Sequence, residues 1–431
     1  MREKYYEFTI FILMGIFLVI LGVLLLLGKH ITYRYMVSLF TLVLWVSSFR
    51  DLVKFFSHKL SKRDENRTFL SCVFHILVCM ILTVLPDFTI GIAPFMFAIY
   101  LLLIGVVQVI MCVLEVRDKE TIRFGHVIIF IVCFFIAFPV IMSPVGNLDT
   151  FLNCFSLYNI LLGISMLWEA FLGVLSVHTK NKLKRRIRIT LPKIIEAIIP
   201  YSIMTEINRN LALEKKQVYS FDRNYDKVDM DILVHASNRG VNRMGHIDLC
   251  FEGMVISFGN YDEGSRSSFN LIGDGVLFMT SRKEDYINFC IDNSKKTVFD
   301  FGIILTASQK DAVRKRIQEI LKYSVSWKYR EDKLYQINKE NYASKLYHKT
   351  KARFYKFEKG VYRTYFVLGT NCCHLVDDIV GKSGMDILSI NGIITPGTYY
   401  DYLNRELRLR KSNVVTKEIY NQYRRPKKRK K

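Results

Sequence analysis

The sequence lacks the short motifs by which several large enzyme classes are recognised. It has no glycine-rich phosphate loop, no serine elbow of the Gly-x-Ser-x-Gly type and no His-Glu-x-x-His pair. Its nine cysteines follow no spacing typical of a disulfide framework or a zinc site. We therefore expect no phosphate-binding loop, no metal, no cofactor and no disulfides, which suits a reducing compartment.

Acidic residues are clearly outnumbered by basic residues in only one part of the chain. Lys and Arg number 61 against 39 Asp and Glu, although 51% of the residues are hydrophobic. Residues 1–177 carry 13 basic and 11 acidic residues, whereas residues 178–431 carry 48 and 28. This division excludes a single soluble globule and also excludes disorder. The second part, roughly 250 residues long, can bury a core of its own.

Six apolar runs in residues 1–177 predict a six-helix transmembrane domain, because most approach the ~20 residues that span a bilayer. Basic residues concentrate in the 50–67 and 115–124 loops and after the sixth run. By the positive-inside rule, both termini are predicted to be cytoplasmic, in a multi-pass protein of the cell membrane. The runs cover residues 8–28, 35–49, 68–86, 89–113, 126–143 and 152–176.

A weak internal repeat aligns Trp45, Gly105 and Gly163 and indicates three tandem helical hairpins. With its basic loops, this architecture resembles the HdeD-type acid-resistance membrane proteins over about residues 8–177, and that resemblance implies no defined chemical activity. The same alignment superimposes Asp51 and Glu169. Acidic groups at membrane depth can mark a transport site, but both lie near the predicted cytoplasmic ends, and we favour that simpler interpretation.

Residues 178–217 form a basic amphipathic linker that either lies on an anionic membrane surface or packs on the domain that follows. From 218 to 410 the pattern predicts an α+β domain with a largely antiparallel sheet, and residues 411–431 form a basic tail. Since the domain is tethered to a membrane, we expect anionic lipids, and not nucleic acid, as the partner of its positive charge.

One segment of the second part carries the strongest local signal, TNCCHLVDDIVGKSG. Asn371 is a good N-cap residue, which places Cys372 at the first position of a helix. The apolar spacing predicts that Cys372 shares the buried face of this helix. A thiol at a helix N-terminus is acidified and suits nucleophilic catalysis, whereas the alternative is a small buried hydrophobe. Cys373 is an alternative nucleophile.

A nucleophilic cysteine needs a base, and His246 is the candidate that stands out. It opens a strand after a glycine, and a turn at residues 252–253 places it opposite about Gly259. Asn260 then lies near its end of the hairpin and is our choice to orient the imidazole. Asp262 is a second possibility, and Ser257 shares the histidine's face as a weaker option.

The order of these residues carries a resemblance. A Gly-His at the start of a hairpin and a strand–helix joint reading NCxxLV downstream resemble the circularly permuted papain-fold thiol hydrolases, relatives of the NlpC-type and YiiX-type enzymes. The resemblance covers about residues 228–405. It implies that Cys372 is the nucleophile and His246 the general base of an amidase, esterase or acyltransferase. The predicted topology adds the expectation that the substrate is a lipid-linked or membrane-proximal amide or ester. The alternative is a non-catalytic stress-response or scaffold protein that binds a ligand or lipid.

Overall fold

The structure is a computed structural model, and the chain in it divides into two compact units. One unit comprises residues 7–110 and 123–167, and the other comprises residues 1–6, 111–122 and 168–431. Most of the predicted linker and the last residues of the predicted tail lie outside the described residues. The structure describes residues 2–56, 62–174, 187–188, 221–222, 228–236, 245–327, 341–383, 388–389, 395–408 and 412–426.

The N-terminal part of the chain consists of long apolar helices. In the described residues, four stretches are long and apolar enough to cross a membrane, and the shorter apolar helix Cys72–Val84 accompanies them. Small residues allow helices to approach closely, since a Cβ added at Gly163 would lie 2.6 Å from the backbone oxygen of Gly15. The helices are α1 (Arg2–Phe56), α2 (Lys62–Val84), α3 (Pro86–Arg117), α4 (Phe124–Met142) and α5 (Leu148–Val174).

The six predicted runs fall within these five helices, so the six-helix count is not confirmed. The first two runs are two arms of α1, which breaks only at Lys29, with φ 27° and ψ −107°. No proline separates the two arms, and a single distorted residue therefore suffices to redirect the chain. The side chains of Asp51 and Glu169 lie outside what the structure describes, and their predicted positions stay predictions.

The C-terminal part is an α+β domain built on an antiparallel sheet, as the sequence predicts. The main sheet has nine strands in the order β2-β13-β8-β3-β4-β5-β7-β10-β9, and every neighbouring pair is antiparallel. Its strands are β2 (Phe221–Asp222), β3 (Met230–Ala236), β4 (His246–Phe251), β5 (Met254–Gly259), β7 (Val276–Thr280), β8 (Thr297–Ile303), β9 (Ser324–Ser326), β10 (Arg353–Phe357) and β13 (Val414–Tyr420).

Two short sheets lie beside the main one. β1 (Ile187–Arg188) pairs in parallel with β12 (Leu388–Ser389), and β6 (Ile272–Asp274) pairs antiparallel with β11 (Thr364–Phe366). The helices of this part are α6 (Lys283–Ser294), α7 (Ala307–Leu321), α8 (Tyr342–Thr350), α9 (Cys372–Val380) and α10 (Pro396–Arg408).

Helices cover both faces of the main sheet, because its strands are apolar on both sides. One face packs on α7, α9 and α10 and contains Ile232, Val234 and Phe299. The opposite face packs on α6 and α8 and contains Leu233 and Phe278. Successive residues of a strand point to opposite faces, which explains why neighbours in β3 belong to different cores. Helix α9 lies against β4 and β5, and this contact brings the two candidate segments together.

The basic tail begins later than the sequence predicts. Val414–Tyr420 forms β13, which pairs with β8 and fills a place inside the main sheet. Val414, Val415 and Ile419 are buried there. The basic character of residues 411–431 hid this strand, because the apolar residues that drive its burial are few and are interspersed with Lys417 and Glu418.

Candidate active site

Helix α9 holds Cys372 at its first residue, as predicted. Asn371 is the N-cap, and its side-chain oxygen accepts a hydrogen bond from the backbone N–H of His374 at 3.1 Å. The thiol side chain is buried with a relative exposure of 4%. The first helical position directs the partial positive charge of the helix N-terminus towards the sulfur, which favours its ionised form.

His246 opens β4, and the predicted hairpin positions it. The turn uses Glu252 and Gly253, both with positive φ, and pairs Leu249 with Ile256. Beyond that pair, the imidazole Nε2 of His246 lies 3.0 Å from the Ser257 hydroxyl and 3.0 Å from the Tyr261 hydroxyl. Ser257, which the alternation of the strand placed on the face of His246, therefore contacts it directly.

The thiol of Cys372 and the imidazole of His246 are in hydrogen-bond contact. Hydrogen bonds from the Cys373 thiol and from the Ile247 backbone N–H, together with the charge and hydrogen bond of His246, outweigh burial and hold the pKa of Cys372 well below its usual value. These interactions favour the ionised form of the sulfur. Cys373, which the sequence left as an alternative nucleophile, lies beside the thiolate as a donor.

A buried carboxylate completes the contact. Asp248 Oδ1 lies 2.9 Å from His246 Nε2, and the Asp248 side chain has no exposure to solvent. Burial alone would lower the pKa of His246, but the charges of Asp248 and Cys372 raise it to about 10. Conversely, although burial opposes the effect, His246 and His235 hold the pKa of Asp248 well below its usual value. Thiolate, imidazolium and carboxylate thus stabilise one another.

Asp248, and not Asn260, is the group that faces the imidazole. The side-chain amide of Asn260 has no hydrogen-bond partner among the described residues and packs over Gly273. Asp262, the other residue considered, is bound by Lys356 at 2.6 Å. The missed signal was the alternation of GHIDLC, in which Asp248 follows His246 by two residues and shares its face of the strand.

Two further groups contact the Asp248 carboxylate at its other oxygen. His235 Nε2 lies 2.7 Å from Asp248 Oδ2, and the Tyr286 hydroxyl donates to the same oxygen at 2.6 Å. Burial lowers the pKa of His235 to about 4, against the pull of Asp248, so this histidine is neutral. In the part of the chain that the structure describes, no group of three His, Cys, Asp or Glu side chains is placed to hold a metal ion.

Comparison with known proteins identifies the N-terminal part only. Residues 13–83 match a family described as a short repeat of unknown function, DUF308. The match covers most of α1 and α2, and with the apolar helices it marks the N-terminal part as that of a membrane protein. No curated protein and no solved structure matches the chain.

Outside the matched residues 13–83, the end of α3 belongs to the same compact unit as the candidate site. Residues 111–122 group with the C-terminal unit, where the Thr364 hydroxyl donates to Asp118 Oδ1 at 2.9 Å. Arg363 also donates to the backbone oxygen of Arg117 at 3.0 Å. A Cβ added at Gly369 would meet the sulfur of Met111, so this glycine permits a close approach three residues before Cys372.

Proposed function

We propose that this is a multi-pass membrane protein whose C-terminal unit is a cysteine amidase, esterase or acyltransferase. Cys372 is the nucleophile, and His246 is the general acid and base. Asp248 orients the imidazole and favours its protonated form. The observation that carries the proposal is the unbroken contact from the Cys372 thiol through His246 to the buried Asp248 carboxylate. The chain order, with the histidine before the cysteine, agrees with the permuted papain-fold resemblance.

The reaction follows from the charge state of the three groups. The Cys372 thiolate attacks the carbonyl carbon of an amide or ester, and the electron pair of the C=O bond moves to the oxygen. His246 then donates its proton to the departing amine or alkoxide as the C–N or C–O bond breaks, and a thioester remains. Water or an acceptor hydroxyl attacks the thioester, gives its proton to His246 and releases the acyl group, which restores the thiolate.

A donor for the developing oxyanion is also present. The Tyr365 hydroxyl forms hydrogen bonds with both the thiol and the backbone N–H of Cys372. Burial raises the pKa of Tyr365 well above its usual value, so the hydroxyl keeps its proton and can donate it. An oxyanion formed beside Cys372 would meet this hydroxyl, which itself accepts from the backbone N–H at the start of α9.

The substrate we propose is an amide or ester close to the membrane. Support comes from Gly369 and Thr364, which contact Met111 and Asp118 of the same compact unit, at the end of the apolar stretch Ile90–Arg117. Because Gly369 is three residues from Cys372, the nucleophile lies within roughly 11 Å, along the chain, of a residue packed on that span. The proposed topology places both termini in the cytoplasm and the basic C-terminal part against anionic lipids.

The second candidate function is a non-catalytic scaffold or stress-response protein. It is favoured by the low exposure of Cys372, 4%, and of Cys373, which is fully buried. In such a protein the polar cluster would serve only to stabilise the sheet. The membrane part and the basic charge would then carry the function by binding lipid or a ligand.

Covalent labelling separates the two functions. The full-length protein in detergent is treated with an electrophilic thiol probe at pH 6, where ordinary thiols are protonated and react slowly. Labelling is expected for the wild type and for Cys373→Ala, and it should be lost in Cys372→Ala. Equal labelling of the wild type and Cys372→Ala would remove Cys372 from the nucleophile's role and leave the scaffold.

A further inference from the structure

The carboxylate of Asp248 has two oxygens, and only one of them faces His246. Oδ1 lies 2.9 Å from His246 Nε2, whereas Oδ2 receives the Tyr286 hydroxyl at 2.6 Å and lies 2.7 Å from His235 Nε2. The side chains of Asp248 and His235 are 0% and 1% exposed, and Tyr286 is fully buried. A charge buried so completely requires polar partners on both oxygens.

The two groups at Oδ2 are both neutral: the Tyr286 hydroxyl donates to this oxygen, and His235 Nε2 lies beside it. Burial keeps the pKa of His235 at about 4 and raises the pKa of Tyr286 well above its usual value, so neither carries a charge at neutral pH. A neutral imidazole can present an N–H to a carboxylate without adding a second positive charge. The single positive charge beside Asp248 therefore resides on His246, next to the thiol.

The three groups are held by separate elements of the fold. Asp248 belongs to β4, His235 lies directly opposite His246 in the pairing of β3 with β4, and Tyr286 projects from α6. The ring of Tyr286 also packs on Phe278 with centroids 5.3 Å apart, which fixes its direction. A strand pair and a helix thus determine where the carboxylate can point.

We propose, resting on the thiol chemistry proposed above, that His235 and Tyr286 are positioning residues that hold the Asp248 carboxylate with Oδ1 against the imidazole of His246. They do not touch the thiol, and they act on it only through Asp248 and His246. Without these donors the carboxylate is free to turn, and its desolvated charge becomes more costly. The imidazolium then loses its counter-charge, and the thiol becomes harder to ionise.

The groups that face the carboxylate come from every neighbouring element. Tyr261, Tyr286, Tyr342 and Cys290 all remain uncharged at neutral pH because burial raises their pKa values. They therefore do not balance the negative charge of Asp248, and His246 does. Among the described residues, the titratable groups that interact electrostatically with Asp248 are His246 on β4, His235 on β3, Tyr261 after β5, Tyr286 and Cys290 on α6 and Tyr342 on α8. Lys296 after α6 acts on His235 and Cys290, and Cys372 on α9 acts on His246.

The test measures ionisation of the thiol directly and needs no substrate. Full-length protein in detergent is alkylated with iodoacetamide between pH 5.5 and 9, and the rate at Cys372 is followed by mass spectrometry of its peptide. The wild-type rate is expected to be nearly flat, because the thiolate is already formed. Tyr286→Phe and His235→Leu should shift the midpoint upwards into the tested range, so that the rate falls about tenfold for each pH unit below the new midpoint.

Matched variants separate positioning from mere stability. His235→Gln retains an amide N–H near the place of Nε2 and should restore much of the flat profile. Tyr400→Phe removes an equally buried hydroxyl that accepts from Lys417 at 3.0 Å, away from Asp248, and should leave the midpoint unchanged. A thermal melt of each variant confirms that it is folded.

The outcomes distinguish this inference from the function on which it rests. A wild-type rate that rises with pH like an ordinary thiol would overturn the proposed function itself. A flat wild type with flat Tyr286→Phe and His235→Leu profiles, even with lowered melting temperatures, would overturn the positioning role alone. If His235→Leu fails to fold, Tyr286→Phe decides the question, since it removes one oxygen atom and leaves the ring in place.

Discussion

The buried polar groups of the two parts of the molecule differ in their hydrogen-bond partners. In the membrane part, such groups bond mainly to the backbone of their own helix, as Thr41 does to Val37 at 2.9 Å and Ser156 to Leu152 at 2.6 Å. In the C-terminal part, the buried groups bond to one another across elements. Asp248 alone joins β3, β4 and α6.

This difference shows where chemistry can take place. A hydroxyl that donates to a backbone oxygen of its own helix needs no hydrogen-bond partner elsewhere, which suits a lipid environment. Polar groups that converge from several elements are costly to bury, and their cost is offset only when the whole cluster is complete. The converging cluster in the C-terminal part includes a thiol and an imidazole, so we place the candidate activity there.

The same substitution in the two parts should have very different effects. Asp248→Asn removes the charge that supports the His246 imidazolium, and kcat/KM for an amide or ester substrate is expected to fall on the order of 10⁴-fold. Asp149→Asn removes an exposed carboxylate that lies 3.1 Å from His30 and 3.6 Å from Lys29, and it should leave activity unchanged.

The measurement is the rate of hydrolysis of a chromogenic anilide, with the melting temperature recorded for each variant. Loss of activity in Asp149→Asn with a normal Asp248→Asn would reverse the comparison. Equal, small effects of both substitutions would show that the buried cluster is structural.

The positions of Cys372 at the start of α9 and of His246 at the start of β4 could be predicted from the sequence because their signals are local. The Asn371 cap, the apolar spacing of α9 and the turn at Glu252 and Gly253 each arise from a few neighbouring residues. Asn260 lies at the open end of the hairpin and was the wrong choice of partner, because the group that faces His246 is Asp248, two residues further along β4.

His235 and Tyr286 could not be assigned from the sequence for another reason. Their positions depend on the pairing of β3 with β4 and on the packing of α6, which are long-range features that no local pattern specifies. In the membrane part, the apolar runs predicted the helices well. Hydropathy does not reveal how two runs are joined, and in α1 they meet at Lys29, where the backbone departs from helical geometry.

The pH dependence should also originate in the C-terminal part. The acid form of His246, with its pKa raised to about 10, protonates the leaving amine, so kcat/KM for the anilide should stay level through neutral pH and fall about tenfold per unit above pH 10. A raised pKa also means that the stabilisation by this imidazolium is complete below pH 6.5 and is lost as the pH rises to about 10.

The lowered pKa of His235 predicts a loss of stability on the acidic side of the pH range. Because its pKa is lowered to about 4, its stabilising contribution is complete above pH 6.5 and is lost as the pH falls towards 4. Activity and melting temperature recorded over pH 4 to 11 check both limbs. An activity that rises through pH 8 to 9, as for an ordinary thiol, would contradict the charge state assigned to Cys372. Asp149→Asn should follow the wild-type profile throughout.

The smallest expected effect tests one side-chain contact between helices of the membrane part. Gln108, which is 2% exposed on α3, bonds through Oε1 to His126 Nδ1 at 2.5 Å and so joins two helices by their side chains. Gln108→Leu is expected to reduce the free energy of unfolding by about 0.6 kcal/mol, since such bonds contribute little in membranes. Thr41→Val, which removes a bond to its own helix, should change this free energy less.

Melting in detergent and thiol-probe labelling measure both variants, and labelling should remain at the wild-type level. A loss of labelling in Gln108→Leu would show that polar groups of the membrane part contribute to the site, and the division between the two parts would fail.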